Sequence, residues 1–235
     1  MLVINPNSLS TILKSLNKLL SILIVLLSIS SLTIIYFLEN DYYQGISFKI
    51  MFIHVPAAWL SLLLFGVMGI TSIIGLVFKS PNALIIARSI SPVGLIMSIT
   101  VLITGSIWGY LTWGTFWVWD ARLTSMLILA FIYFGHNLLL NSFDHFQKSD
   151  FAAAILAIIG LVNLPIVKFS VDWWTTLHQG ASVFKIGGPS LSGIYLITLF
   201  ISFICILLIS LFWIFNILVT TKDKRKLERM RLFNE

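Results

Sequence analysis

Charge is what this sequence has least of. Only 10% of its 235 residues are Asp, Glu, Lys or Arg, while 58% are hydrophobic. Soluble domains carry about 25% charged residues, so a soluble globular enzyme is excluded and an integral membrane protein is expected. The mean hydropathy of +1.00 agrees. Cysteine is nearly absent. Cys205 stands alone in an apolar run, which excludes an intrachain disulfide and a cysteine metal site and leaves the redox compartment unread. There is no internal repeat and no low-complexity tract. Lys14 and Lys18 precede the first apolar run, but no small-residue cleavage site follows, so that run reads as a retained span and not a signal peptide.

What is present is hydrophobic length. A span needs about 20 apolar residues to cross a hydrocarbon core ~30 Å thick. Six windows satisfy this, at roughly 19–38, 53–78, 89–107, 123–141, 151–169 and 191–219. The expected fold is all-α, a bundle of six transmembrane helices forming one integral membrane domain over residues 1–235. The fifth window contains Asn163 and Pro165, which a span tolerates where neighbouring helices satisfy the freed carbonyls.

Six spans put both termini on one side. That side collects Lys14, Lys18, Lys79, Arg88, Lys148, Lys222, Lys224, Arg225, Lys226, Arg229 and Arg231, eleven of the fifteen basic residues. Positive loops face the cytoplasm, so the termini are expected there, or on the matrix side in a mitochondrion. The tail "KDKRKLERMR" and the net charge of +6 then read as orientation and lipid-headgroup signals, with no nucleic-acid partner expected. The other side receives three unusual loop segments. They are "YYQGISFKIMFIHVPAAW" (42–59), "WGYLTWGTFWVWDARLTS" (108–125) and "VDWWTTLHQG" (171–180).

Tryptophan and tyrosine gather at membrane interfaces as anchoring belts. A belt explains Trp59, Trp173, Trp174 and Trp213, but less well four tryptophans in residues 108–120, interleaved with Gly109 and Gly114. His54 and His178 flank this aromatic segment from two other loops. Two imidazoles with ring surface between them suit a flat macrocycle such as haem, whose iron takes axial ligands and whose propionates need cations or amide donors. The shelf is read as Trp108, Trp113, Gly114, Trp117 and Trp119, with Trp113 and Trp117 on one face of a helical segment. Arg122 and Lys49 are the candidate propionate cations. Asp120 is expected to cap the helix at Leu123 and Thr124 or to orient Arg122. His136 and His145 lie toward the opposite side and read as ordinary hydrogen-bonding residues, His136 pairing within the bundle beside Asn137. No serine–histidine or paired-carboxylate spacing marks a hydrolytic site. A haem-containing electron-transfer subunit and a haem transporter proper stay open as alternatives.

Three segments also carry a resemblance. "YQG…FIHVPAAW", "TGSIWGYLTWGTFWVWDARLTS" and "VNLPIVKFSVDWWTTLHQG", in this order between about residues 42 and 180, resemble the cytochrome c maturation protein C (CcmC) family, haem-handling proteins with a tryptophan-rich WWD signature. The resemblance implies that haem b, as transient cargo, is held at the outer membrane face in the WWD region (about 108–124), with His54 and His178 as axial ligands. It implies delivery to a membrane-anchored haem chaperone (CcmE), in concert with an ABC-type complex of an ATPase, a membrane subunit and a small accessory subunit. It further implies a bacterial inner membrane, or a mitochondrial one, with the WWD loop periplasmic. Lys49 stands where arginine is expected in some relatives, and a lysine keeps the charge without the two-pronged geometry.

Overall fold

The computed structural model describes residues 6–180 and 182–234. Lys14, Arg229 and Arg231, counted above among the basic residues of one side, have side chains outside that description. Seven α-helices follow one another among the described residues. They are α1 (Pro6–Phe37), α2 (Met51–Val77), α3 (Pro81–Trp113), α4 (Ala121–Leu139), α5 (Phe146–Gly160), α6 (Asn163–Trp173) and α7 (Gly193–Asn234). A single 3-10 turn, Ile46–Ile50, leads into α2. No β-strand occurs among these residues. Six helical stretches are long and apolar enough to cross a membrane, as the six windows predict.

The seventh helix comes from a break inside the fifth span. At Leu161–Leu164 the backbone tightens into bonds three residues back, Leu161 to Ile158, Val162 to Ile159 and Leu164 to Leu161. Pro165 has no N–H to continue the helical ladder, so α6 restarts at Asn163 with the proline in its first turn, where a missing donor costs little. The buried Asn163 side chain donates to the Ser125 carbonyl of α4 at 2.9 Å, which fixes the restarted helix against its neighbour.

Small residues line the helix seams beside the large core side chains. In lipid, helix association rests on close van der Waals packing, which favours Gly and Ser at the seams. Accordingly Ser61, Gly69, Ser72 and Gly75 of α2 and Ser89, Ser91, Gly94 and Ser98 of α3 are all buried. The closeness is used by Tyr133 of α4. Its ring is fully buried, lies edge-to-face on Phe65 at 5.0 Å, occupies the space a Cβ at Gly94 would need, and donates its hydroxyl to the Ser61 carbonyl at 2.8 Å. Peripheral α1 packs on α7 through polar pairs, Ser31 with Ser202 at 3.0 Å and Ser28 with Cys205 at 3.2 Å.

The two ends of the bundle differ. At one end Arg88 of α3 and Arg225 of α7 both bind the buried Asp150 of α5, and both guanidinium groups lie over the Phe146 ring. Arg88 also donates to the Leu140 carbonyl and to Ser149. His136 is buried in α4, and its Nδ1 has no hydrogen-bond partner, while the adjacent Asn137 donates to the Tyr133 carbonyl of its own helix. At the other end the loops 38–45, 114–120 and 174–192 come together.

Gly94→Val is expected to destabilise the protein by about 1–3 kcal/mol, since the added methyls meet the Tyr133 ring. Gly66→Ala, whose Cβ would meet only Leu164 at 3.7 Å, is expected to be neutral. Thermal denaturation in detergent checks both. Asp150→Ala is expected to cost about 3–5 kcal/mol in the same assay, because it leaves two guanidinium groups without their counter-ion.

A two-histidine cavity beneath the aromatic loops

The loops at the second end enclose a cavity of about 530 Å³, inside the ~300–1,000 Å³ range of small-molecule sites. His54, Trp108, Trp113, Arg122 and His178 all line it. They come from α2, α3, α4 and the α6–α7 loop, so the cavity exists only when these elements pack.

Each histidine has a ring wall and a partner for one nitrogen. His54 stands in the first turns of α2. Its ring is edge-on to Trp108 at 5.7 Å, and its Nδ1 lies 3.0 Å from the Thr104 hydroxyl of α3. Trp108 is itself held by donating Nε1 to Gln44 at 2.9 Å. His178 lies in the α6–α7 loop, edge-on to Trp113 at 4.9 Å. Its Nδ1 is buried without a hydrogen bond and faces Asp120 Oδ2 at 3.7 Å, an electrostatic contact longer than a hydrogen bond. Burial pulls the His178 pKa below its ordinary value, the Arg122 cation adds to this, and Asp120 opposes it. The imidazole is therefore neutral near pH 7, as a metal ligand must be.

Asp120 ties α4 to the α6–α7 loop. Its Oδ1 accepts from Leu123 N at 2.8 Å, capping α4, while its carbonyl accepts from Thr124 N at 3.0 Å. Its Oδ2 accepts from the Thr176 hydroxyl, and Thr176 Oγ1 in turn accepts from His178 N at 3.1 Å. The capping expected from sequence is present. The orienting role falls on His178 instead of Arg122, whose Nη1 donates to the Val167 carbonyl of α6 at 3.0 Å. A cation in the first turn of α4 opposes the helix macrodipole. Arg122 holds that position beside Asp120, with Asp172 also on the cavity wall.

The aromatic shelf is divided. α3 ends at Trp113 because Gly114 adopts the left-handed conformation (φ 77°), which only glycine reaches without strain. The chain then leaves the helix, so Trp113 and Trp117 do not share a helical face. Trp113 and Trp108 line the cavity, whereas Gly114, Trp117 and Trp119 are not among its lining residues. Trp117 packs on Trp119 at 5.4 Å, Tyr110 stacks on Phe116 at 4.3 Å, and Trp119 is 76% exposed. Within this second set Tyr110, Phe116 and Trp119 are exposed, while Trp117 is half-buried with its Nε1 enclosed.

Lys49 is not among the lining residues either. The 3-10 turn directs its Nζ to the Tyr36 carbonyl at the end of α1, 2.9 Å away. Two cations not singled out from the sequence, Lys168 of α6 and Lys185 of the α6–α7 loop, border the cavity instead. Thr104, Gly105 and Thr176 were also not singled out. The available signals were the Gly105–Gly109 pair, four residues apart on one helical face, and a threonine two residues before His178.

Comparison with known proteins agrees with this architecture. A family model described as "Heme exporter protein C" matches residues 1–232. The chain is similar to Heme exporter protein C of Bradyrhizobium diazoefficiens, 51% identical over 162 residues, covering 69% of this chain and 62% of that protein. It is similar to Heme exporter protein C of Escherichia coli K12, 46% identical over 146 residues, covering 62% and 60%. A ccmC-like mitochondrial protein of Marchantia polymorpha, named for cytochrome c biosynthesis, is 45% identical over 148 residues, covering 63% and 62%. The matched part thus spans about three fifths of these relatives' own length. With six membrane-crossing stretches, the three loop segments in order, and a family match over nearly its full length, the chain belongs to the heme exporter protein C (CcmC) family.

Proposed function

We propose that the cavity is a transient seat for haem b, held for delivery to a membrane-anchored haem chaperone (CcmE) during c-type cytochrome assembly. The observation that carries this reading is the convergence of two imidazoles, from α2 and from the α6–α7 loop, on one tryptophan-walled cavity, with His54 Nδ1 on the Thr104 hydroxyl and His178 Nδ1 turned toward Asp120. Haem asks for two axial nitrogens, flat apolar walls and cations for its propionates. His54 and His178 would ligate the iron, Trp108 and Trp113 would flank the porphyrin, and Arg122 would face a propionate with Lys168 and Lys185 at the rim. Arg122 keeps one Nη on Val167, so its guanidinium is held in place before the cargo arrives.

The outward aromatic set suits a different task. Exposed Trp119 and Phe116, beside Trp117 and Tyr110, form a patch of the kind that marks an interaction site. We assign it to the chaperone, with an ABC-type assembly of an ATPase, a membrane subunit and an accessory subunit acting on the loaded complex. The excess of Lys and Arg at the opposite end supports a cytoplasmic position for both termini and a periplasmic cavity in a bacterial inner membrane. Bacterial and mitochondrial relatives make the mitochondrial inner membrane the second setting.

Purified protein titrated with haemin is expected to give a six-coordinate low-spin spectrum. His54→Ala and His178→Ala are each expected to lose that signature and most of the bound haem, and retention by both variants would overturn the seat. Trp119→Ala is expected to bind haem normally yet weaken chaperone binding roughly 10–30-fold, the cost of an exposed aromatic anchor at an interface. Pull-down with the chaperone's soluble domain measures it.

A further inference from the structure

We propose that Thr104, with Gly105 and Trp108 on the same stretch of α3, is the seat that fixes the ring of His54 with Nδ1 protonated and Nε2 free, which makes Thr104 a positioning residue. The inference rests on the haem reading above and adds how one ligand is prepared.

The first part is an account of protons. A threonine hydroxyl has one proton to give and lone pairs to accept with. Thr104 Oγ1 gives its proton to the Thr100 carbonyl, one turn back, at 2.6 Å. Many Ser and Thr residues in these helices make that same backbone bond and do nothing else, so the bond alone marks no role. What sets Thr104 apart is a second contact, with His54 Nδ1 at 3.0 Å. With its proton committed, the hydroxyl can only accept there. The imidazole must donate from Nδ1, so the lone pair of the neutral ring sits on Nε2.

The second part is space. A Cβ built on Gly105 would lie 2.9 Å from His54 Cε1, too close for the ring to keep its place. The ring thus rests directly on the helix backbone. The third part is the wall. Trp108, pinned by Gln44, stands edge-on to the ring at 5.7 Å. Residues 104, 105 and 108 follow one another along one face of α3, so the segment "TGSIW" holds the ring by a polar pin, a gap and an aromatic wall. His178 is prepared differently, by a carboxylate, so the two ligands have unlike partners. Such partners orient a ligating histidine and fix its tautomer, and their loss typically weakens metal affinity 10–100-fold.

The test uses the full chain in detergent, titrated with haemin, reading the dissociation constant and the spin state from the visible spectrum. Thr104→Val keeps the shape and removes the acceptor. It is expected to weaken haemin binding about 10–100-fold and to shift bound haem toward high spin, with the thermal midpoint of the cargo-free protein unchanged. Thr104→Ser, which keeps the hydroxyl, is expected to restore both readouts. Gly105→Ala, which displaces the ring without touching the hydroxyl, is expected to reproduce the loss and serves as the independent variant if Thr104→Val is unstable. If His54→Ala loses haemin while Thr104→Val and Gly105→Ala bind it like the unaltered protein, the seat is wrong and the haem reading stands. If His54→Ala and His178→Ala bind like the unaltered protein too, both readings fall.

Discussion

The carboxylate of Asp120 joins the start of α4 to the α6–α7 loop. One oxygen caps α4, the other accepts from Thr176 and faces His178. The α6–α7 loop is long and carries no helix or strand among its described residues. Its histidine needs a fixed point, and the N-terminus of a packed helix supplies one. The cap is worth about 1 kcal/mol as a helix start. Its larger effect is geometric, because whatever holds α4 in the bundle also holds His178 over the cavity. Burying His178 beside Arg122 keeps its imidazole uncharged, and Asp120 offers its Nδ1 a negative partner without an ion pair.

From this follows a division of labour in the aromatic segment. Gly114 turns the chain out of α3, so the tryptophans before it line the cavity and those after it do not. Trp108 and Trp113 each stand beside one histidine. Trp117 packs edge-on against the exposed ring of Trp119. A single run of rings therefore builds an inner wall and an outer patch, which suits a protein that both holds a flat cargo and presents it. The opposite end, where Arg88 and Arg225 share Asp150, reads as a structural clamp between α3, α5 and α7.

The broad architecture was legible in the sequence because the bilayer makes it so. Apolar length sets the spans, and span parity alone brings His54, Trp113 and His178 to one end. The cap by Asp120 was legible too, as an acid directly before an apolar helix. The missed features depend on geometry that residue type does not carry. Gly114 looked like room for a ligand, and its positive φ instead ends the helix and separates Trp113 from Trp117. Lys49 counted as a cation on the right side, but a 3-10 turn sends its side chain to the end of α1. Thr104 sits in an apolar run where a threonine ordinarily bonds its own helix, and only the packing of α2 on α3 brings an imidazole to it. Pro165 was expected to be tolerated, and the chain tolerates it by becoming two helices.

The central claim is that the cargo lies inside the cavity between the two histidines and not on the outer tryptophans. A structure of the haemin-loaded protein tests it most directly. The account predicts porphyrin density flanked by Trp108 and Trp113, with iron bound on opposite faces by Nε2 of His54 and Nε2 of His178. Porphyrin lying against Trp117 and Trp119, with either histidine away from the iron, would contradict it.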